Sequence, residues 1–344
     1  AAGIADIRVI VGYRAEDLLP VLSSLGVTPV LNDNYDQGMF SSVVCGLNTF
    51  TGDVDGFFLL PGDMPLVKKT TFKKLINKYQ ETNYSVIYPC FQGKRGHPPL
   101  ITRRCFKAIL AQGMDGNLRN ILQKFNHEAY ELAVIDQGIL LDMDTPGDYQ
   151  RVVELAKRGS IPTLEECQAL FDLHKVSETI IRHGQKVAQI AEFLAQALIE
   201  RGFSLDLELI RASALLHDIA KGGPSHARRG ADILLSEGFP SVAKVIIEHM
   251  DLEFELDEID FLLDEKKIIY FTDKLVQGEN LISCEERFRN ASYKYGCTWE
   301  VIEKIEKRKK NALIIERKIK DYLQVDDLFS YIYEKAAQRS YNDV

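Results

Sequence analysis

No stretch of the 344-residue chain approaches the roughly 20 consecutive apolar residues that cross a bilayer, and its N-terminus lacks the charged-then-apolar layout of a signal peptide. A soluble, cytoplasmic protein with no membrane partner is expected. Cysteine is sparse and scattered: Cys45, Cys90, Cys105, Cys167, Cys284 and Cys297 form no CxxC pair and no tight framework, so they read as free thiols of a reducing compartment. Positive charge is also in deficit, with 42 Lys and Arg against 50 Asp and Glu and a formal net charge of -8. With no basic stripe interleaved with aromatics, a nucleic-acid partner is not expected. Internal repeats and low-complexity segments are lacking too. The chain opens at Ala1, and Ile7 to Val11 already has the texture of a buried strand, which predicts further sequence upstream.

What is present is ordinary globular composition, 46% hydrophobic and 27% charged, on a chain long enough for two domains. Through about Tyr149, short β-branched or aromatic runs alternate with amphipathic stretches, the rhythm of strand and helix units on a mainly parallel sheet. Strands are expected at Ile7 to Val11, Thr28 to Leu31, Gly56 to Leu60, Ser85 to Pro89 and Leu132 to Val134. Helices are expected at Glu16 to Ser24, Ser41 to Asn48, Lys69 to Glu81 and Leu118 to Lys124. This predicts an open three-layer α/β domain over residues 1–155. Lys157 to Pro162, with Gly159 and Pro162, reads as a linker (156–162).

Beyond it, Ile180, Ile181, Val187, Ile190, Ala191, Leu194 and Leu198 recur at three- and four-residue steps, the apolar face of a long helix. Further helices are expected at Asp206 to Ala220, His226 to Glu237, Ser241 to His249 and Lys266 to Val276. An all-α domain over 163–290 follows, then a charged helical extension over 291–344. In that extension Glu303, Lys304, Glu306, Lys307, Arg308, Lys309 and Lys310 read as a solvated helix face.

Five of the seven histidines fall between His174 and His249. His217 and Asp218 stand together in an apolar setting (Ala212, Leu215, Leu216, Ile219), where an unpaired charge is costly unless a metal or hydrogen bonds satisfy it. Neutral imidazole and carboxylate are ligands that divalent Mn, Fe, Ni or Zn accept. In their order and context, His183 before Gly184, the His217-Asp218 pair, His226 after Pro224-Ser225, His249 after Ile247-Glu248 and Asp273 within Tyr270-Phe271-Thr272-Asp273-Lys274 resemble the HD superfamily of metal-dependent phosphohydrolases. The resemblance spans about Thr163 to Phe288. It implies His183, His217, Asp218 and Asp273 as metal ligands, with His226 and His249 adding a second ion as in dinuclear members, Asp218 bridging the two. Lys221, a turn after His217, is a candidate for offsetting phosphate charge. The implied reaction is hydrolysis of a phosphoester or phosphoanhydride; the competing reading is a regulatory module that binds metal or nucleotide without turnover.

In the first half an apolar strand stops at Asp63 in the turn Leu59-Leu60-Pro61-Gly62-Asp63-Met64-Pro65-Leu66, where open α/β sheets place ligands. With Asn34-Tyr35-Asp36-Gln37-Gly38-Met39-Phe40-Ser41-Ser42, Gly96-His97-Pro98-Pro99-Leu100, Asp115-Gly116-Asn117-Leu118-Arg119 and Asp142-Met143-Asp144-Thr145-Pro146, it resembles the nucleotidyltransferases related to molybdenum cofactor cytidylyl- and guanylyltransferases. The match covers about Ile7 to Val153. By that resemblance Asp63 holds catalytic Mg²⁺ with Asp142 or Asp144. Gly38, Ser41 and Ser42 lie near the nucleoside triphosphate, taken to be CTP; His97, Asp115 and Arg119 line the pocket of a molybdopterin-type acceptor, and a molybdenum hydroxylase is the implied acceptor protein. A transferase for another small phosphorylated acceptor is the alternative. The family's first strand and glycine-rich triphosphate loop belong before Ile7 and are not in this sequence, so transfer by the chain as given is expected to be impaired.

Overall fold

The computed structural model describes residues 3–52, 54–114, 116–252 and 262–342, with side chains through Lys335 in the last segment. The chain divides into two compact units at Ala156/Lys157.

In the first unit the elements run β1 (Arg8–Val11), α1 (Ala15–Leu25), β2 (Thr28–Leu31), α2 (Met39–Asn48), β3 (Gly56–Phe58), α3 (Lys69–Glu81), β4 (Val86–Phe91), β5 (Lys94–Arg95), β6 (Leu100–Thr102), α4 (Phe106–Leu110), α5 (Leu118–Gln123), β7 (Ala129–Ala133) and α6 (Pro146–Lys157). The sequence VIYPCF makes β4 a central strand: both its faces are buried, as expected of a strand flanked by pairing partners and covered by helices. It runs parallel to β7, from Val86 opposite Ala129 to Cys90 opposite Ala133, and antiparallel to β6, which is itself antiparallel to β3. A separate parallel pair joins β1 to β2.

Phe40, Val43, Val44 and Leu47 of α2, Ile109 of α4 and Ile121 of α5 pack with Val86 and Ile101 on one side. On the other, Leu75 of α3 meets Ile87 and Leu100. Helix, sheet and helix therefore stack as three layers, as the alternating rhythm predicted. The sheet is more mixed than expected, because β6 enters antiparallel between β3 and β4. Leu100-Ile101-Thr102, between Pro98-Pro99 and Arg103, is too short a run to declare its own period. The last strand lies three residues earlier than expected at its start, at Ala129 rather than Leu132.

The second unit is helical: α7 (Leu164–His174), α8 (Glu178–Ile199), α9 (Leu207–Leu216), α10 (His226–Glu237), α11 (Pro240–Ile246), α12 (Glu265–Lys274), a hairpin of β8 (Val276–Gln277) and β9 (Asn280–Leu281), α13 (Cys284–Tyr295), α14 (Trp299–Leu323) and α15 (Leu328–Asn342). Val187, Ile190, Ala191, Leu194 and Leu198 form the buried stripe of α8, and α12 contributes Ile268, Ile269, Tyr270 and Phe271 to the same core. Each Val, Leu, Ile or Phe among them removed from water contributes about 1.5–3 kcal/mol.

The charged run in α14 is solvated at Glu303, Lys304, Glu306, Lys307 and Lys310. Its opposite face is not an appendage: Ile305, Ala312, Ile315 and Ile319 belong to the same core, and Arg308 turns inward to pair with Asp251 at 2.7 Å. The segment expected to be a linker makes bonds within the second unit. Arg158 bonds the carbonyl of Pro162 and pairs with Glu208, Ser160 bonds Ser241, and Pro162 is buried. Among the described residues no helix is long and apolar enough to cross a membrane.

Candidate functional sites

Several helices of the second unit end at one place. His217 and Asp218 follow the last turn of α9, His226 opens α10, His249 follows α11, Asp273 lies near the end of α12, and His183 projects from within α8. Helices α8 and α9 can approach there because residue 184 is glycine: a Cβ on Gly184 would stand 2.7 Å from the carbonyl oxygen of Leu215.

The six residues fall into two triads, His183 with His217 and Asp273, and Asp218 with His226 and His249, the donor atoms within each lying no more than 4.8 Å apart. Asp218 faces both. Its Oδ2 is 3.8 Å from His183 Nε2 and 3.5 Å from His217 Nε2, while its Oδ1 is 3.3 Å from His226 Nε2 and 3.7 Å from His249 Nε2. In the first triad, Asp273 Oδ1 stands 3.2 Å from His183 Nε2 and 3.5 Å from His217 Nε2.

The rings are oriented from behind. Nδ1 of His183 meets the carbonyl of Gly278 at the β8–β9 turn, Nδ1 of His217 meets that of Ala214, and Nδ1 of His249 meets that of Ile246. A proton committed to Nδ1 leaves the Nε2 lone pair aimed into the cluster, the form in which imidazole binds a metal. His217 gives the sharpest indication of fit, since its Nε2 is wholly buried and has no hydrogen-bond partner. A nitrogen facing two carboxylates in an apolar enclosure suits a divalent cation.

Electrostatics tell the same story. Burial drives the His217 imidazolium down, but Asp218 and Asp273 outweigh it and carry the group up to about 10. Burial likewise opposes ionisation of the two carboxyls, yet His217, His226 and His249 hold Asp218 well below its usual range, and Lys274, His183 and His217 do the same for Asp273. Burial keeps His249 below its ordinary value. Without an ion, the cluster balances its anions with a proton on His217.

Lys221 lies on the rim, its ammonium against Asp218 Oδ2 and its side chain 47% exposed. Sequence reasoning gave no role to Gly184 or Lys274. The signal for Lys274 was a charged residue directly after a ligand, in a helix otherwise burying Ile268, Ile269, Tyr270 and Phe271.

In the first unit a cleft of about 760 Å³ is lined by Gly38, His97 and Arg119, together with Gln37, Tyr88 and Arg95. Gly38 has φ 94, the left-handed backbone that glycine tolerates, and begins α2. Gly96 is required by closeness, because a Cβ there would collide with the carbonyl of Ile139. His97 Nδ1 is 3.2 Å from the carbonyl oxygen of Leu59, which ties the cleft wall to the end of β3.

Ser41 and Ser42 lie off this cleft lining: both receive hydrogen bonds from Asn32 Nδ2, at 2.9 and 3.1 Å, and buried Ser41 also donates to the carbonyl of Gly38. Asp63 occupies the turn after β3 with a buried Oδ1 that has no hydrogen-bond partner. Asp142 and Asp144 are exposed before α6, and among the described residues neither forms with Asp63 a cluster of three metal-type donors. Asp115 lies outside the described residues. No sequence pattern marks Asp136, a buried carboxylate that accepts from Lys68 N, Thr71 Oγ1 and Gly138 N and so pins the start of α3 beyond the end of β7.

Comparison with known proteins divides the chain in the same order. Residues 1–130 match the family model of the MobA-like NTP transferase domain, and residues 180–277 match that of the HD domain. The molybdenum cofactor cytidylyltransferase of Escherichia coli (strain K12) is 28% identical over 144 residues, which cover 42% of this chain and 71% of that protein. An uncharacterized protein of Methanocaldococcus jannaschii is 29% identical over 143 residues, 38% of this chain and 85% of that one. The crystal structure of Rv0371c from Mycobacterium tuberculosis H37Rv aligns with 44% of this chain and 77% of its own at 24% identity, with a TM-score of 0.39.

Proposed function

We propose that this chain, which carries a MobA-like NTP transferase domain followed by an HD domain, is a bifunctional enzyme: a nucleotidyltransferase whose second unit hydrolyses a phosphoester or phosphoanhydride with two divalent transition ions. The observation that carries the hydrolase reading is the divided carboxylate of Asp218, one oxygen toward each triad.

Divalent ions held there would supply Lewis-acid charge that acidifies water and clamps phosphoryl oxygens. The protein's part is preorganisation. His183, His217 and His249 present their Nε2 atoms without reorienting, because backbone carbonyls already hold Nδ1. Asp218, with one oxygen toward each triad, would serve both ions, and Asp273 completes the inner triad. Lys221, half exposed at the rim, swings from Asp218 to a substrate phosphate and offsets its charge.

In the first unit, Asp63 with Asp142 or Asp144 would hold Mg²⁺, whose charge would offset that of a triphosphate, and the cleft at Gly38, His97 and Arg119 would receive nucleotide and acceptor. CTP and a molybdopterin-type acceptor are supported by the likeness to the molybdenum cofactor cytidylyltransferase of Escherichia coli. Hydrolysis of a phosphoester by the metal-loaded chain, lost in Asp218→Ala, tests the hydrolase reading.

A further inference from the structure

Lys274 is 4% exposed at the end of α12, deep in the second unit. Burying an ammonium is costly unless it is paired and hydrogen-bonded, and this one is held on three sides. Its Nζ lies 2.7 Å from Asp273 Oδ2 and donates to the carbonyl oxygen of His249 at 2.9 Å, while the ring of Tyr270 lies beneath it, 4.6 Å from Nζ to the centroid. Tyr270 is anchored in turn, its hydroxyl donating to the carbonyl of Arg308 on α14.

The two polar partners of Lys274 belong to different triads. Asp273 serves His183 and His217; His249 serves Asp218 and His226. We propose that Lys274 is a positioning residue that fixes the spacing of the two metal triads, an inference that rests on the two-ion reading above. Asp218 joins the triads through its carboxylate, and Lys274 joins them again through its ammonium, so that two independent ties close a ring around the space between the ions.

The lysine also settles which oxygen of Asp273 is available. With Oδ2 taken by Nζ, Oδ1 alone turns toward His183 and His217, which makes Asp273 a one-oxygen ligand. Fixing the backbone carbonyl of His249 sets where its ring stands relative to Asp218. Removing the ammonium takes one tie from His249, leaving its Nδ1 contact with Ile246, while Oδ1 of Asp273 still faces His183 and His217. Outer partners of this kind commonly contribute about 10–100-fold to metal affinity.

The test is Mn²⁺ binding followed by electron paramagnetic resonance on the whole chain, wild type against Lys274→Met, with far-UV circular dichroism and thermal melting as checks on folding. The wild type should bind two Mn²⁺ and give a spin-coupled signal. Lys274→Met should keep one tightly held ion, bind the second at least about tenfold more weakly, and show the six-line spectrum of isolated Mn²⁺. A structural role alone would lower the melting temperature without uncoupling the ions. If the methionine variant does not fold, Lys274→Gln answers the same question, since its shorter neutral side chain cannot reach both acceptors. A folded variant with two coupled ions at wild-type affinity overturns the inference. A wild type that binds fewer than two ions instead overturns the two-ion reading and removes the basis of the inference with it.

Discussion

Asp218 places Oδ1 3.3 Å from Nε2 of His226, on the far side of its carboxylate from the oxygen that faces His217. His226 is also the most accessible of the six cluster residues, with a side chain 20% exposed, whereas the inner triad of His183, His217 and Asp273 is buried. His226→Ala should therefore remove one ion and keep the other. Elemental analysis after dialysis should read about two ions per wild-type chain and about one in the variant, two matching triads each losing or keeping its own ion. Two ions retained in the variant would exclude His226 as a ligand.

Gly184 lies one residue after His183, against the carbonyl of Leu215. Alanine in place of a mid-helix glycine ordinarily stabilises by about 1 kcal/mol. Here the added methyl would meet backbone that cannot rotate away, so Gly184→Ala should destabilise by about 1–3 kcal/mol, the cost typical of overpacking, and weaken the inner metal site. Denaturant unfolding measures the first effect and metal titration the second. A variant more stable than wild type would show that the helices do not rely on this approach.

The proton on His217 gives the metal-free protein a pH signature. Its folded value of about 10 lies above the ordinary 6.5, so the fold favours the charged form. That contribution is fully present below about pH 6.5 and is lost as pH rises through 10. Melting temperatures of chelator-treated protein should fall across this window, and the slope should shrink in His217→Asn. With Mn²⁺ bound the proton is displaced and the slope should flatten. A melting temperature independent of pH in the metal-free wild type would contradict the assignment.

For the first unit, whatever pyrophosphate release the parent protein shows from CTP and a molybdopterin-type acceptor should fall by roughly 10²-fold or more in Asp63→Ala, the scale on which charge stabilisation of phosphoryl transfer operates. Full activity in the variant would remove Asp63 from the site.

The metal cluster was legible because its residues keep their chemical type and order at helix ends, and each departs from its surroundings: His217 and Asp218 interrupt an apolar run that periodicity alone would continue. Helix positions were legible for the same reason, α10 to the residue at both ends. What holds the cluster was not legible. The carbonyls of Gly278, Ala214 and Ile246 that turn the rings are backbone atoms, which every sequence has. Lys274 is distinguished by its burial, which becomes visible only when α12 is packed. In the first unit β6 escaped notice because Leu100-Ile101-Thr102 is too short to show a period of its own. Ser41, expected near the nucleotide by resemblance, bonds Asn32 and the carbonyl of Gly38, contacts that no local pattern shows.

Release of nitrophenol from a nitrophenyl phosphate ester by the Mn²⁺-loaded chain measures the proposed hydrolysis itself. Wild type should turn over, chelation should abolish the reaction, and Asp218→Ala should lower it by about 10³-fold or more, because both triads lose their shared ligand. Undiminished hydrolysis in Asp218→Ala, or none in a wild type shown to hold two ions, would contradict the account.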